Sequence, residues 1–386
     1  MARGRMDWIL FFTVLALVAF GLVMVFSASS VVAQIRYKEG SFYFLSRQFL
    51  AAILGFGAMV LFSQSDYRKF FSPAAAFMGL GFTLVLLVVA YFLDARSHRW
   101  IHLGYFNLQP SELAKPALIL FIAWMASMRA GYVNSRHTLI QVSIIVFFVA
   151  GIILMTDFGT AVVLAGTVMS ILYVGGLSRR YLLIAALTGL CVLSVAMVSK
   201  PYRLLRVITY ADPQFEYMQR TEVGRKVLAY AQSGSKVQDT AYHGLQSRIA
   251  VATGGVTGLG LMNSKQKRLF LPEPHTDYLY AILAEETGII GAMLVLAGYI
   301  VILWRGYRLY WTALDEFGRC LAVGITTCIL LQAFMNISVV LDMGPSKGFP
   351  LPLMSYGGSS LVTSMILIGI LLSVSDRSVA PEEAQG

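Results

Sequence analysis

Apolar residues run along this chain in long blocks, and short polar connections separate one block from the next. A helix needs roughly 17 to 25 mostly apolar residues to cross the hydrocarbon core of a bilayer. The blocks that approach or reach this length predict ten membrane-spanning helices, at residues 8–26, 48–62, 74–93, 113–128, 139–155, 160–174, 181–198, 278–304, 320–340 and 355–374. We therefore expect an all-α polytopic membrane protein that forms a single transmembrane domain over residues 1–386.

The composition agrees with this pattern, because 57% of the residues are hydrophobic and 13% are charged, about half the charged share of a soluble domain. The three cysteines lie inside apolar blocks, and the five histidines show no ligand spacing. We therefore expect no metal site built by protein groups alone. The first apolar block resembles a secretory signal, but further spans follow it, so we expect a retained first helix.

The basic residues of the short connections predict the orientation of the bundle. With a cytoplasmic N-terminus, more Lys and Arg fall in the cytoplasmic connections than in the outer ones, so we expect both termini in the cytoplasm. The long connection 199–277 then lies outside and adds further basic residues to that face. A net positive outer face favours an anionic ligand such as a lipid phosphate, and a basic loop that is only solvated is the alternative.

The first of three polar clusters is FLPEPHTDYLYAILAEETG, at the end of the long connection and the start of the eighth span. We expect Thr276 or Asp277 to cap the helix by accepting hydrogen bonds from its free N–H groups. On helical spacing Asp277 shares a face with Ala281, Ala284 and Glu285. This face is small in the middle and acidic at both ends, and we expect it to line a cavity.

The second cluster, RWIHLGYFNLQPSELAKPALI, opens the fourth span. Here we expect Ser111 to cap the helix and Glu112 to lie in its first turn. Lys115 is less easily explained, because a cation at a helix N-terminus opposes the helix dipole. Glu112 and Lys115 are three residues apart and can pair on the surface, so an ordinary interfacial ion pair is the alternative to a functional site.

The third cluster, MGPSKGFPLPLMSYGGSSLV, lies between the last two spans and carries Lys347. Its Gly and Pro residues predict irregular backbone, which survives at membrane depth only where protein or a wet cavity covers it; a simple tight turn is the alternative. The Gly-rich segment 252–268 is typical of a half-inserted, re-entrant stretch rather than a nucleotide-binding loop. All of these segments fall on the same side of the bundle.

Four segments resemble a known family: LPEPHTDYLYAILAEETGIIG, LQPSELAK, TDFGTAVV and KGFPLPLMSYGGSSL are similar to the motifs of the SEDS family of bacterial cell-wall polymerases, the FtsW, RodA and SpoVE group. The resemblance implies ten spans and a peptidoglycan glycosyltransferase that acts on lipid II at the outer face of the bacterial cytoplasmic membrane. It also implies a class B penicillin-binding protein (a transpeptidase) and other divisome membrane proteins as partners. No nucleic acid is implied.

Lys347 before Gly348 resembles the FtsW branch, which serves cell division, more than the RodA branch. The sequence also departs from the family pattern. The stretch 212–244 is longer than usual, and Leu269 stands where relatives often carry an acid. Any site that uses this extra carboxylate is therefore doubtful in this chain.

By motif matching, Asp277 falls on the family's essential aspartate, and we expect it to be the general base for the acceptor 4-hydroxyl in an inverting transfer. Lys115, Lys347, Arg99 and Arg248 are candidates for the pyrophosphates. The residues assigned to substrate binding are Arg99, Trp100, Glu112, Lys115, Arg248, Glu273, His275, Thr276, Lys347, Ser355, Tyr356, Gly357 and Gly358. No cofactor is certain, and a divalent cation, Mg²⁺ or Mn²⁺, that accompanies the pyrophosphate is left open.

Two alternatives belong to other classes of protein. A lipid II flippase, or another transporter of lipid-linked precursors, would also need a cationic cavity, but with access from both sides and polar residues through the midplane. A scaffold that only recruits division proteins would not need Asp277.

Overall fold

The computed structural model describes residues 6–94, 97–104, 106–212, 215–233, 237–268, 270–271, 273–344 and 348–378. The first helices are α1 (Trp8–Val32), α2 (Tyr43–Gln64), α3 (Pro73–Leu93), α4 (Pro110–Met128), α5 (Arg136–Thr156), α6 (Phe158–Val174) and α7 (Arg179–Val198). They are followed by α8 (Pro201–Ala211), α9 (Glu216–Arg220), α10 (Glu222–Gln232), α11 (Val237–Gly254), α12 (Leu279–Thr312), α13 (Glu316–Val340) and α14 (Gly358–Ser375). An antiparallel hairpin of β1 (Ile101–Leu103) and β2 (Phe106–Leu108) joins α3 to α4.

Nine helices in the described part of the chain are long and apolar enough to cross a membrane, and α6 is a shorter apolar helix of 17 residues. They follow the predicted apolar blocks in order, so the prediction of an all-α polytopic membrane protein is confirmed. The count of ten spans stays a prediction. The long connection 199–277 carries the four helices α8 to α11.

Polar residues in the connections start several of these helices. Ser72 accepts a hydrogen bond from the Ala75 amide at the start of α3, where Pro73 occupies the first helical position. Asp315 accepts one from the Gly318 amide at the start of α13. Such caps satisfy N–H groups that have no partner within the helix, so they give these two helices a defined start.

Helix α14 lies at the centre of the bundle, and nearly all of its side chains are buried. Small residues bring α2 close to it: a Cβ on Gly369 would lie 2.6 Å from the Met59 carbonyl oxygen, and one on Gly55 would lie 2.7 Å from Met365 Sδ. Such close approach is typical of helix pairs that pack inside membranes. Helix α7, by contrast, buries no residue and lies at the edge.

Helix α12 is broken at Gly288, which has φ 68° and ψ −167°. The Gly-rich segment predicted to be half-inserted packs on this break: the amides of Leu259 and Gly260 donate to the carbonyls of Glu285 and Glu286, each at 3.0 Å. A Cβ on Gly288 would lie 2.4 Å from the Val256 carbonyl oxygen. The segment therefore supplies partners for backbone groups that the break exposes.

Helices α8 and α10 form a small apolar cluster outside the main core, with Leu205, Ile208, Leu228 and Ala231 buried between them. Both helices are amphipathic, because apolar residues recur along one face and charged residues along the other. In α8 this pattern leaves Arg206 on a face turned toward the bundle, where it lines a cavity.

Candidate active site

Asp277 lies in a turn just before α12, and it does not cap that helix. The Thr276 amide and hydroxyl both donate to the Glu273 carbonyl, at 3.2 and 3.1 Å. Tyr278 occupies the cap position, and no side chain caps the helix. The predicted capping role of Thr276 or Asp277 is therefore wrong, because the turn directs the Thr276 hydroxyl backward and the Asp277 carboxylate toward Gly348.

The Asp277 carboxylate forms part of the wall of a cavity of about 360 Å³. Helix α8, the N-terminus of α6, one face of α13 and the segment after residue 347 enclose this space. The residues that line it are Arg99, Phe158, Met197, Tyr202, Arg203, Arg206, Val207, Asp277, Phe334, Met335, Ser338, Val339, Gly344, Gly348 and Phe349. Among the described residues, the lining thus combines one carboxylate, three guanidinium groups and an apolar side.

Burial raises the pKa of Asp277 to about 6, and the charges of Glu273 and Asp157 act in the same direction. Arg206 and Arg99 oppose the rise. A carboxylate with this pKa is mostly ionised at neutral pH, yet it is a stronger base than an ordinary aspartate. It is therefore suited to take a proton from a hydroxyl group in the cavity.

The three arginines of the cavity differ in their other contacts. Arg203 is buried and donates to the carbonyls of Ala196 and Leu154, at 3.1 and 3.0 Å, so it joins helix ends. Arg99 Nε donates to the Thr156 carbonyl at 2.5 Å. The Arg206 guanidinium stacks over the Tyr202 ring at 5.8 Å. Arg99 and Arg206 are the cations that act on Asp277.

Two buried amides of α13 hold the backbone around Asp277. Asn336 Nδ2 donates to the Asp277 carbonyl at 2.8 Å and also to the Phe349 carbonyl. One turn earlier, Gln332 Nε2 donates to the Pro350 carbonyl at 3.1 Å, and its Oε1 accepts from Lys115 Nζ at 2.6 Å. The amide pair connects the Asp277 turn to the segment after residue 347.

Lys115 and Glu112 form an ion pair of 2.7 Å, as the spacing predicts, but both side chains are only 3% exposed. The alternative of an ordinary pair on the surface does not hold, because α4 turns this face toward α13. The predicted cap is also wrong: Gln109 occupies the cap position of α4, and its Nε2 donates to Ser111 Oγ at 3.0 Å. Glu112 does lie in the first turn.

A second cavity, about 20 Å³ and large enough for one water molecule, lies beside this ion pair. Asp157, Gln109 and Gln332 line it together with the pair, and Gly348 and Phe349 border both cavities. Gly348 and Phe349 thus belong to the walls of both the cavity that Asp277 lines and the cavity that Lys115 lines.

The third cluster is irregular between α13 and α14, as predicted, over the residues that are described there. Ser355 Oγ accepts from the Leu351 amide at 2.8 Å, and Gln48 binds the Ser355 carbonyl and the Gly357 amide. The Tyr356 amide donates to the His275 carbonyl at 2.9 Å. The Tyr356–His275 bond joins this segment to the chain just before Asp277, at residues that do not line the cavity.

Further predicted site residues also lie outside the cavity lining. A Cβ on Gly358 would lie 2.7 Å from the Phe106 ring, so this glycine packs against β2. His275 is buried against the Phe44 ring, and burial lowers its pKa to about 4, which keeps it neutral. Lys347, which was predicted to contact pyrophosphate, lies outside the described residues.

Three other predicted residues have partners away from the cavity. Arg248 pairs with Asp342 at 3.2 Å. Glu273 pairs with Arg36 at 3.2 Å and is partly exposed. The Trp100 amide donates to Asp94 Oδ2 at 3.3 Å. Their assignment to substrate binding stays a prediction.

The predicted cavity face of Asp277, Ala281, Ala284 and Glu285 does not exist. Asp277 precedes the helix, and Glu285 is fully buried on the other side, where it accepts from the Lys265 amide at 2.9 Å and the Gln266 amide at 3.3 Å. The error came from extending helical spacing back into the turn. Neighbouring Glu286 pairs with buried Lys267 at 2.8 Å.

Sequence reasoning missed Arg206, Gln332 and Asn336. Gln332 and Asn336 stand four residues apart within an apolar block, so they share one helix face. A polar pair at this spacing in a membrane span indicates an internal, functional surface. The alternation of arginines and apolar residues in α8 could likewise have indicated an amphipathic helix over the site.

The fold and the cavity together define a class: a polytopic helical membrane protein in which an aspartate of raised pKa faces a cationic cavity at one end of the bundle. The chain belongs to the cell cycle protein family of FtsW, RodA and SpoVE, whose family model matches residues 7–379. The resemblance found in the four sequence segments is therefore confirmed.

Similar proteins include the probable peptidoglycan glycosyltransferase FtsW of Geobacter metallireducens, 37% identical over 381 residues (97% of this chain and 95% of that protein). Stage V sporulation protein E of Bacillus subtilis is 36% identical over 377 residues (96% of this chain and 97% of that protein).

Among solved structures, a chain from a peptidoglycan synthase complex, described as coordinating polymerization and crosslinking, is 26% identical. It has a TM-score of 0.71 and covers 96% of this chain and 98% of that chain. A mutant of the Thermus thermophilus rod shape determining protein RodA is 25% identical, with a TM-score of 0.67 over 97% of this chain and 98% of that chain.

Proposed function

We propose that this protein is a peptidoglycan glycosyltransferase that polymerises lipid II into glycan strands, with Asp277 as the general base. The observation that carries the proposal is the position of Asp277, whose carboxylate faces a cavity that Arg99 and Arg206 also line. The pKa of this carboxylate is raised. The names of the relatives support the same class of enzyme.

In the proposed reaction the 4-hydroxyl of the acceptor sugar attacks the anomeric carbon of the donor. Asp277 takes the hydroxyl proton as the new C–O bond forms, and the bond from the anomeric carbon to the pyrophosphate breaks with its electron pair on the phosphate oxygen. Direct attack inverts the anomeric configuration. One base is sufficient, because a pyrophosphate is already a good leaving group.

Arg99 and Arg206 are suited to stabilise the pyrophosphate as its negative charge grows, because guanidinium groups bind phosphate oxygens in a fixed geometry. Met197, Phe334 and Met335 give the cavity an apolar side for the lipid carrier. Lys115 and Lys347, from motif matching, and Arg248, from its charge, remain proposed pyrophosphate contacts.

The groups that line the cavity also indicate how a divalent ion could bind there. Asp277 is the one carboxylate among the described lining residues, and the described part of the chain has no group of three His, Cys, Asp or Glu that could hold a metal. Mg²⁺ binds through one or two carboxylates together with substrate phosphates. Mg²⁺ or Mn²⁺ would therefore fit here only with the pyrophosphate bound.

We further propose that the protein spans the bacterial cytoplasmic membrane with both termini in the cytoplasm and Asp277 at the outer face. A class B penicillin-binding protein is the proposed partner, with other divisome membrane proteins. The solved neighbour from a peptidoglycan synthase complex supports such a partner, and the relatives named FtsW support a role in septal wall synthesis.

The test is to incubate the purified full-length protein with labelled lipid II, with and without its co-purified partner, and to separate the products by length. The proposal expects glycan chains. Transport of lipid II across vesicles without polymerisation would support the flippase alternative, which the names of the relatives do not favour. Neither activity would support a scaffold.

A further inference from the structure

We propose that Gln332 and Asn336 are positioning residues, which fix the Asp277 carboxylate by holding its turn and the Gly348–Pro350 segment in one arrangement. The inference rests on the proposed function of Asp277 as general base. Both amides lie on α13, one helical turn apart, and both are buried.

The hydrogen bonds of Asn336 place it between the two backbones that meet at the site. Its Nδ2 donates to the Asp277 carbonyl at 2.8 Å and to the Phe349 carbonyl. Because both acceptors are carbonyls, the NH₂ group must face them. One amide therefore fixes the distance between the Asp277 turn and the segment that contacts the Asp277 carboxylate.

Contact between the Gly348 backbone and the Asp277 side chain is very close. A Cβ on Gly348 would lie 1.7 Å from Asp277 Oδ2 and 2.4 Å from its Cγ. The Gly348 backbone therefore covers one side of the carboxylate, which leaves the cavity as its open side. A small shift of this segment would change both the direction and the hydration of the base.

Gln332 extends the same link to the second charged group. It donates to the Pro350 carbonyl at 3.1 Å and accepts from Lys115 Nζ at 2.6 Å. Lys115 in turn donates to Glu112 at 2.7 Å. The buried ion pair is thus connected to the Asp277 turn through Gln332 and the Gly348–Pro350 segment. The side chains of Lys115, Glu112 and Gln332 are paired in this buried network, and such pairing rigidifies a site; Asn336 Oδ1 has no hydrogen-bond partner among the described residues.

The first experiment measures lipid II polymerisation by full-length protein that carries Asn336→Leu, which keeps the side-chain volume and removes both donated hydrogen bonds. We expect kcat to fall about tenfold to a hundredfold, because misplacement by 1 Å costs about this much. KM for lipid II should stay within about twofold, because Asn336 does not line the cavity.

A pH profile separates positioning from a general loss of folded protein. Among the described residues, the charged groups that act on Asp277 are Glu273, Asp157, Arg206 and Arg99, and the variant leaves them unchanged. Freed from Gly348, the carboxylate gains water, so its pKa falls and the acid limb of kcat moves to lower pH. Loss of folded protein would lower the whole curve without moving the limb.

A matched control is Asn134→Leu. Asn134 also joins two backbone groups, because its Nδ2 donates to the Gly176 carbonyl at 2.9 Å and its Oδ1 accepts from the Ser178 amide at 2.7 Å. Asn134 lies exposed in the connection between α4 and α5, away from the Asp277 turn, so kcat and the acid limb should match the wild type. Gln332→Leu should resemble Asn336→Leu, and the two losses should combine to less than their product because both act on one segment.

Hydrogen exchange gives a readout that needs no activity. In Asn336→Leu, peptides that cover residues 273–279 and 348–355 should exchange faster than in the wild type, whereas peptides around Asn134 should not. Unchanged exchange in both segments, a loss confined to KM, or an unmoved acid limb would each overturn the positioning role. If the wild type makes no glycan, the proposed function fails. Hydrogen exchange alone then shows whether Asn336 holds the Asp277 turn and the Gly348–Pro350 segment together.

Discussion

Substitution of Gly348 by alanine tests the close contact between the backbone and the proposed base. The new Cβ would lie 1.7 Å from Asp277 Oδ2, whereas ordinary contacts begin near 3.4 Å. The carboxylate or the segment must therefore move by about 1.7 Å, and misplacement by 1 Å can cost about a hundredfold in rate. We expect Gly348→Ala to lower kcat at least about a hundredfold.

The assay is polymerisation of labelled lipid II by the purified full-length variant, with folded yield followed by size-exclusion chromatography. Gly40→Ala is the matched control, because its Cβ would meet nothing within 4 Å, and it should keep the wild-type rate. If Gly348→Ala folds and retains more than about a third of the wild-type rate, the position derived for the base is wrong.

Three further predictions follow from the charges of the site and its support. Because Asp277 must be ionised to accept a proton and its pKa is about 6 in the ligand-free protein, kcat/KM for lipid II should fall about tenfold per pH unit below pH 6 and reach a plateau above it; a limb near pH 4, in rates measured with lipid II well below KM, would contradict this. Arg206→Ala removes a cation that lowers this pKa, so the limb should move to higher pH and KM for lipid II should rise; Lys226→Ala, at an exposed pair, is its control. Glu286→Ala leaves Lys267 buried without its carboxylate, so it should lower the free energy of unfolding by about 3 to 5 kcal/mol. The control Glu222→Ala, at an exposed pair, should change it by less than about 1 kcal/mol. Equal shifts of the two variants in thermal unfolding would refute the burial argument.

Local pattern was sufficient to predict the helices and their order, and the family motif indicated Asp277 as a candidate, whose role stays a prediction. The apolar blocks are long, and helices are the structures that satisfy backbone groups within a bilayer, so their order survives folding. The motif around Asp277 identified the residue without its surroundings. The Glu112–Lys115 pair was likewise predicted from its spacing, but its burial was not, because burial depends on α13.

The contacts that define the site could not be read from local pattern. Asn336 binds the carbonyl of Asp277, 59 residues away in the chain, and Gly348 meets the carboxylate only because two connections converge. The capping prediction failed for a local reason, because the Thr276 hydroxyl donates to the Glu273 carbonyl instead of accepting from a helix amide. A threonine hydroxyl can form either hydrogen bond, so local pattern does not decide between them.

The measurement that tests the central claim most directly compares Asp277→Asn with the wild type in the lipid II assay. The substitution keeps the size of the side chain and removes its basicity, and a positioned base contributes about 10² to 10⁴ in rate. We predict a folded, membrane-inserted variant that makes glycan at least about a hundredfold more slowly. Glycan synthesis near the wild-type rate by this variant would contradict the account.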